Sequence, residues 1–337
     1  MTTAQVTMYR LKTALRSLLA IYRLPQEQID AFLRSYESFN KDMSDENEEQ
    51  SIANYYAVLN HLCALGEVEK MYIPPVMDLT KGIYDNQILF EEKMSKDLSI
   101  KEGDKVLDMG CGRGRVAAHL ATITKAKVTG FNIDDVQLTS AKEFVSLNKL
   151  ADSCQFIKAN LNDPFPFDDA SFDSLYQIQV LTYAKNKEKL FAEMFRVLKP
   201  GGKISFLDWV QLDNYNCTNE HHRDLLKRIK PLIGAIDTPT AEEIKSTLEK
   251  VGFNVLLNKD ISVGGHQAPL IEKIDKYYEH MQKFVYFMVK LHLLPKHFKV
   301  LLDRFSQDGE SFIEADHLGL FTTSCQTIAE KPDVSLH

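Results

Sequence analysis

From residue 105 onward the apolar positions of this chain switch between two periods. Short continuous runs, Lys105–Met109, Ala126–Asn132, Cys154–Lys158, Ser174–Ile178, Lys203–Trp209 and Asn254–Asp260, have the length and content of buried strands. Between them apolar residues return every three or four positions, as at Val116, Leu120 and Ile123. This predicts helices after the first run and over Val136–Lys149, Lys187–Leu198, Glu220–Ile233 and Thr240–Val251. Strands alternating with helices predict a doubly wound α/β fold, a largely parallel sheet covered on both faces. Upstream the pattern is helical. A first amphipathic stretch carries Met8, Leu11, Leu15, Leu18, Leu19 and Tyr22 and is broken by Pro25. A second runs Gln26–Phe39 with Ile29, Phe32, Leu33 and Tyr36 on one face. Asp42–Gln50 reads as an acidic linker, Ser51–Leu65 as a helix ending at Gly66, Pro74-Pro75 as an extended turn, and Ile88–Leu98 as a helix. A long apolar helical region, Pro269–Phe305, precedes a last strand near Leu318–Glu330. The expected division is a helical cap over 1–100, a Rossmann-like core over 101–210, and a remainder over 211–337 whose helical insertions form a lid.

Composition narrows the functional classes. The 337 residues carry a formal charge of −7, which argues against a nucleic-acid partner. Cys63, Cys111, Cys154, Cys217 and Cys325 are odd in number, lie far apart and include no C-x-x-C, so neither a disulfide framework nor a zinc site is suggested. A reducing cytoplasmic setting is the default reading. No apolar run approaches the ~20 residues of a membrane span. The first 26 residues hold no acid, while Arg10, Lys12, Arg16 and Arg23 punctuate the apolar stripe. That segment reads first as a helix docked on its own domain, with an interfacial membrane helix, a lid and a targeting peptide as rivals.

The chemistry concentrates in Asp108-Met109-Gly110-Cys111-Gly112-Arg113-Gly114, at a strand-to-helix junction. Glycine there lets the backbone turn sharply and pass close to a ligand. The spacing is G-x-G-x-G rather than the G-x-G-x-x-G of dinucleotide sites, and Asp108 stands two residues before the first glycine. A carboxylate there repels phosphate and suits the ammonium of an amino acid.

The D-x-G-C-G-x-G spacing resembles the first motif of class I S-adenosylmethionine (SAM) methyltransferases, and further motifs follow in the family's order over roughly residues 101–210. The resemblance implies SAM as cofactor and S-adenosylhomocysteine as product. It implies that Asp108 binds the methionine ammonium while Gly110, Cys111 and Gly112 let the backbone pass the cofactor. Asn132 stands where an acid meets the ribose hydroxyls, with Ile133 and Gln137 beside it. Asn160 and Leu161 stand at the adenine, Gln177 and Gln179 end the fourth strand near the methyl group, and Tyr84 is a further cofactor contact.

Beyond that core the chain looks like the sterol C-methyltransferase family. The shared segments are Tyr55-Tyr56, Asp208-Trp209-Val210, Asn219-Glu220-His221-His222-Arg223, Val251-Gly252-Phe253, Leu320-Phe321-Thr322 and Ala329-Glu330-Lys331-Pro332. The departures concern the acceptor. Where that family carries an acidic and aromatic segment after its paired tyrosines, this chain has Cys63-Ala64-Leu65-Gly66-Glu67-Val68; Gln179 replaces a Glu, and Tyr183 a His. The resemblance implies methylation of an isoprenoid alkene, with Tyr56, Tyr183 and Trp209 facing the resulting cation and Asp208 steering or accepting a proton. A linear prenyl diphosphate such as farnesyl diphosphate, with or without cyclisation, or a sterol would serve as acceptor. Arg223, Lys227, Arg228 and Lys230 are the candidate diphosphate cluster, and Mg2+ enters only with a diphosphate. The rivals are an N- or O-methyltransferase of another small metabolite and an inactive SAM-binding partner protein. Peripheral membrane contact and homo-oligomerisation stay open.

Overall fold

The computed structural model describes residues 14–39, 45–65 and 70–333. Helix α1 spans residues 14–22, followed by α2 (Gln26–Ser38), α3 (Asp45–Leu65), α4 (Ile83–Asp97), β1 (Lys105–Met109), α5 (Arg115–Thr124), β2 (Lys127–Asn132), α6 (Asp135–Leu147), β3 (Cys154–Lys158) and β4 (Phe172–Ile178). Then come α7 (Lys187–Val197), β5 (Leu198–Gln211), α8 (Glu220–Ile233), α9 (Ala241–Val251), β6 (Asn254–Asp260), α10 (Ala268–Lys290), α11 (His297–Ser306), α12 (Gly309–His317) and β7 (Phe321–Glu330). Contacts group these into two units. The helical unit holds the described residues up to Met71 with Asn216–Ile236 and Ala268–Leu318; the sheet unit holds Tyr72–Tyr215, Asp237–Gln267 and the chain from Gly319. This division differs from the linear one expected. α4 belongs with the sheet, and the helical unit is assembled from three separate stretches.

In the sheet unit seven strands lie in the order β3-β2-β1-β4-β5-β7-β6, parallel except for β7, which runs antiparallel between β5 and β6. This is the class I Rossmann-like methyltransferase arrangement. Period-two alternation sends Leu107, Met109, Leu175 and Phe206 to one face, against Leu190, Phe191 and Met194 of α7 and Ile244 and Leu248 of α9. Val106, Val128 and Tyr176 go to the other face, against Phe90 of α4, Leu120 of α5 and Leu138 of α6. A central parallel strand is thus apolar on both faces, which is why β1 reads as an unbroken run.

Three expectations shift. β5 begins at Leu198, because Lys199-Pro200-Gly201-Gly202 continues the strand through an irregular register instead of ending as a turn; Gly201 donates its N–H to the Lys331 carbonyl (2.8 Å). α3 begins at Asp45, inside the expected linker, and acidic residue types suit a helix N-terminus. The helical region after residue 268 is three helices, broken at Pro295 and at Asp308-Gly309. The remaining expected linker residues 42–44, the helix end at Gly66 with Glu67 and Val68, and Met8, Arg10, Leu11 and Lys12 lie outside the described residues.

The helical unit has its own core of Ile21, Phe32, Tyr36, Phe39, Tyr55, Leu62, Phe298 and Leu301. Tyr55 sits at its centre, edge-on to Tyr36 at 5.3 Å and to Phe39 at 4.9 Å, with its hydroxyl donating to the Leu232 carbonyl at 3.1 Å. Arg304 lies over the Tyr36 ring at 3.9 Å.

Candidate active site

The candidate site forms where β1 and β4 end, on both sides of the glycine loop. Gly110, Gly112 and Gly114 all take left-handed φ values (71°, 50° and 69°). The loop is held by the Gly110 and Cys111 N–H groups, which both donate to the Phe131 carbonyl (2.9 and 3.0 Å). A Cβ on Gly110 would stand 2.5 Å from a Val180 methyl, so the loop passes against the segment following β4 only because glycine is there. Gly112 faces the Gln137 amide oxygen, 3.4 Å from where its Cβ would be.

Asp108 lies on the same face of β1 as Val106, opposite Tyr176 on β4 in parallel register. It is buried, and neither its Oδ2 nor the Tyr176 hydroxyl makes a hydrogen bond of normal geometry. Burial pushes its pKa up to about 7; the adjacent Tyr176 hydroxyl pulls down and the Glu91 carboxylate pushes up. The Tyr176 phenol is in turn pushed well up by burial and by Asp108. The Cys111 thiol is raised by the same two causes, which keeps it a thiol. A desolvated carboxyl with an orphaned oxygen, beside a loop that only glycine can form, is the donor set expected for the ammonium of SAM. The residues present fit that group.

A second buried carboxylate lies behind the first. Glu91, fully buried on α4, accepts from the Tyr72 hydroxyl at 2.7 Å and meets His119 Nδ1 of α5 at 2.6 Å. Sequence reasoning missed this network. Its signal was a helix whose buried face, Gln87, Phe90, Glu91 and Met94 at i, i+3, i+4 and i+7, includes two polar residues.

The other expected cofactor residues ring the loop. Asn132 at the end of β2 donates to Gln137 Oε1 (2.7 Å) and accepts from the Ile133 N–H (2.9 Å), so its amide shapes the turn that would receive a ribose. Ile133 is exposed, Leu161 half-buried and Tyr84 exposed at the first turn of α4. Asn160 accepts from the Asn162 N–H at 3.0 Å, and Asn162 ties the segment after β3 to the Tyr183 carbonyl and the Lys185 N–H.

At the ends of β4 and β5 the polar residues are turned on one another. Gln177 donates its amide to Asp208 Oδ2 and accepts from the Val180 N–H (2.9 Å). The Leu181 N–H donates to Asp208 Oδ1 (3.2 Å). Asp208 is buried and its pKa is pushed up to about 8 by desolvation, against the pull of Gln177, the Leu181 N–H and Lys187. These contacts hold the turn after β4 in place. Gln179, at φ 55°, is likewise committed: its amide accepts from the Ile73 N–H and donates to the carbonyls of Ile73 (2.8 Å) and Thr323 (3.1 Å). Trp209 is held from two sides. It is buried, stacked on Phe321 at 4.9 Å, with its indole N–H donating to Thr238 (3.1 Å). Tyr183, in the turn Leu181–Tyr183, is half-buried. Tyr56 belongs to the helical unit, edge-on to Tyr55 at 5.2 Å.

The fold, the glycine loop and the orphaned Asp108 define a class I SAM-dependent methyltransferase, and residues 107–206 match a family described as methyltransferase domain. Among curated proteins the chain is similar to sterol 24-C-methyltransferases. It is 28% identical to that of Neurospora crassa over 262 residues (72% of this chain, 69% of that one). It is 26% identical to that of Pneumocystis carinii over an alignment of 362 positions, gaps included (94% of this chain, 92% of that one). Among solved structures it superposes on the geranyl diphosphate C-methyltransferase of Streptomyces coelicolor A3(2) with a TM-score of 0.54 and 17% identity, covering 74% of this chain and 81% of that one.

Proposed function

We propose that this enzyme methylates an alkene carbon of an apolar isoprenoid of the sterol or triterpene kind. The observation that carries the reading is the closed polar set at the ends of β4 and β5. Gln177, Gln179 and Asp208 are satisfied by one another and by backbone groups, so none of the three is poised to strip a proton from a hydroxyl or an ammonium. An alkene needs no such help, because its π electrons are the nucleophile. SAM supplies an electrophilic methyl group on a sulfonium sulfur. The chain contributes position and exclusion of water: Asp108 for the ammonium, the glycine loop for close backbone approach, and the segment after β4 clamped at Leu181 by Asp208. Attack forms one carbon–carbon bond as the methyl–sulfur bond breaks and its electron pair returns to sulfur, leaving a carbocation on the acceptor that is discharged by loss of a proton to solvent. The half-buried Tyr183 ring is placed in this reading to face that cation. The similarity to sterol 24-C-methyltransferases supports carbon as the atom methylated.

A neutral acceptor is favoured over a prenyl diphosphate by the state of α8. Arg228 pairs with Asp224 (2.8 Å), Arg223 donates to the Cys217 carbonyl (2.9 Å), and both are exposed. The test is incubation with methyl-labelled SAM and a panel of side-chain-unsaturated sterols, linear triterpenes, geranyl and farnesyl diphosphates, and primary amines and phenols. Label in a new C–methyl bond of a sterol or triterpene is expected. Label confined to amines and phenols overturns the carbon acceptor, and label confined to diphosphates overturns the neutral one.

A further inference from the structure

The helical unit carries two apolar stripes that its own core leaves uncovered. On α10, Phe284, Phe287 and Leu291 recur at i, i+3 and i+7 and are 61%, 57% and 51% exposed. The opposite side of the same helix is the packed one, with Tyr278 and Val285 buried. On α1, Leu15, Leu19 and Tyr22 recur at i, i+4 and i+7, each 50% exposed, while Ser17 and Ile21 are buried. Each exposed set falls within about one-sixth of its helix circumference, given ~100° per residue. These are continuous stripes, not the isolated exposed residues of any protein surface.

The two helices are tied together through α11. His297 at the start of α11 meets the Ile21 carbonyl through its Nε2 at 2.8 Å, fixing the end of α1 to the turn that follows α10. That turn adds Leu293, 57% exposed, and α11 adds Val300, 44% exposed.

The charge beside these stripes is mainly basic, against that of the whole protein. The chain as a whole is −7, yet between Glu279 and Asp303 there is no acid, and the exposed Lys283, Lys290, Lys296 and Lys299 lie in that stretch, of which Lys299 pairs with Asp303 (2.5 Å). In α1 the exposed Arg16 and Arg23 lie in the acid-free stretch before Glu27. A helix with Phe and Leu along one strip, lysines beside it and a separate packed face is suited to lie in the plane of a bilayer interface, apolar side chains among the acyl chains and ammonium groups at the headgroups. None of the described helices is long and apolar enough to cross a membrane.

We propose that the α1/α10 face is a docking surface for an anionic lipid bilayer, gripped by Leu15, Leu19, Tyr22, Phe284, Phe287 and Leu291 and held by the arginines and lysines beside them. A second protein copy would also bury apolar side chains, but a two-fold contact of this face with itself would set Lys283, Lys290 and Lys296 of each copy against their own like charges, whereas an anionic lipid surface complements them. This inference is independent of which acceptor is methylated.

The test uses the full chain and vesicles of phosphatidylcholine with and without phosphatidylserine, read by co-sedimentation. The wild type is expected to partition onto the phosphatidylserine vesicles, less so as salt rises. Phe284→Ser/Phe287→Ser is expected to lose at least about tenfold in partitioning on both compositions. Lys283→Glu/Lys290→Glu should lose about as much on the anionic vesicles alone. Lys142→Glu, an exposed lysine of α6, should change nothing. Unchanged SAM affinity and melting temperature in each variant separate loss of docking from loss of fold. The proposal is overturned if the wild type does not partition, or if both double variants partition as the wild type does. It is equally overturned if the wild type is a concentration-dependent dimer that Phe287→Ser turns into a monomer, which would make the face a contact between copies.

Discussion

Asp108→Asn should move stability and cofactor affinity in opposite directions. Burial raises the Asp108 pKa from 3.8 to about 7. Holding the carboxylate charged in the free protein therefore costs roughly 4 kcal/mol, at ~1.4 kcal/mol for each tenfold in acidity. A folded pKa above the unfolded one gives stability that is fully present below pH ~4 and fades as pH rises through about 7. Asparagine is nearly isosteric and never charged. The free variant should match the wild type below pH ~4 and exceed it near pH ~8 by a sizeable part of that amount, several degrees in melting temperature. Cofactor binding should go the other way. An ammonium needs the carboxylate, so wild-type affinity should fall about tenfold per pH unit below about 7 and level off above it. The variant leaves the ammonium without a counter-charge in a buried site, a loss of ~3–5 kcal/mol. Its affinity should also lose the pH dependence. Titration calorimetry for SAM across that range, with thermal melts of the free proteins, reads both effects. Wild-type affinity flat through pH ~7, or a variant that binds SAM as well as the wild type, would falsify the assignment of Asp108 to the ammonium.

Two further substitutions probe the clamp after β4 and the acceptor side. Gln179→Ala frees the Ile73 N–H and carbonyl and the Thr323 carbonyl, and should cost ~1–3 kcal/mol in denaturant unfolding, with faster amide exchange at residue 73; unchanged exchange there would show the clamp is not needed. Tyr183→Phe keeps the ring and should retain most turnover, whereas Tyr183→Leu should lose ~1–2 kcal/mol of transition-state stabilisation and shift the alkene products, read by product chromatography; equal losses in both would move the role from ring to hydroxyl.

The sheet was legible because a strand buried on both faces must be a continuous apolar run, while its crossover helix must be amphipathic. β1 falls at the expected residues for that reason, and the edge strands β3 and β6 and the amphipathic α8 of the helical unit also begin and end where expected. The glycine loop was legible because only glycine accepts left-handed φ beside Val180, so the motif records a backbone constraint directly. β5 was misread at its start because Pro and Gly signal a turn locally, and only pairing with its neighbours keeps Lys199–Gly202 extended.

By itself, then, the sequence determined the class of fold, the order of its strands along the chain and the presence of a carboxyl beside a glycine loop. These follow from local periodicity and local backbone sterics. Tertiary structure alone decided what that carboxyl and its companions do. Asp108 and Asp208 are the same residue type near the ends of β1 and β5, on either side of β4 in the sheet. One has an orphaned oxygen, while the other is fully engaged by Gln177 and Leu181, and no periodicity distinguishes them. The pairing of Glu91 with His119, 28 residues apart, and the joining of α1 to α11 through Ile21 and His297, 276 apart, depend on contacts distant in sequence. Trp209 reads as a pocket aromatic by position, yet its side chain is packed on Phe321 from a strand more than a hundred residues away. Partners are set by which surfaces meet once the apolar faces are buried, and that is a property of the packed chain.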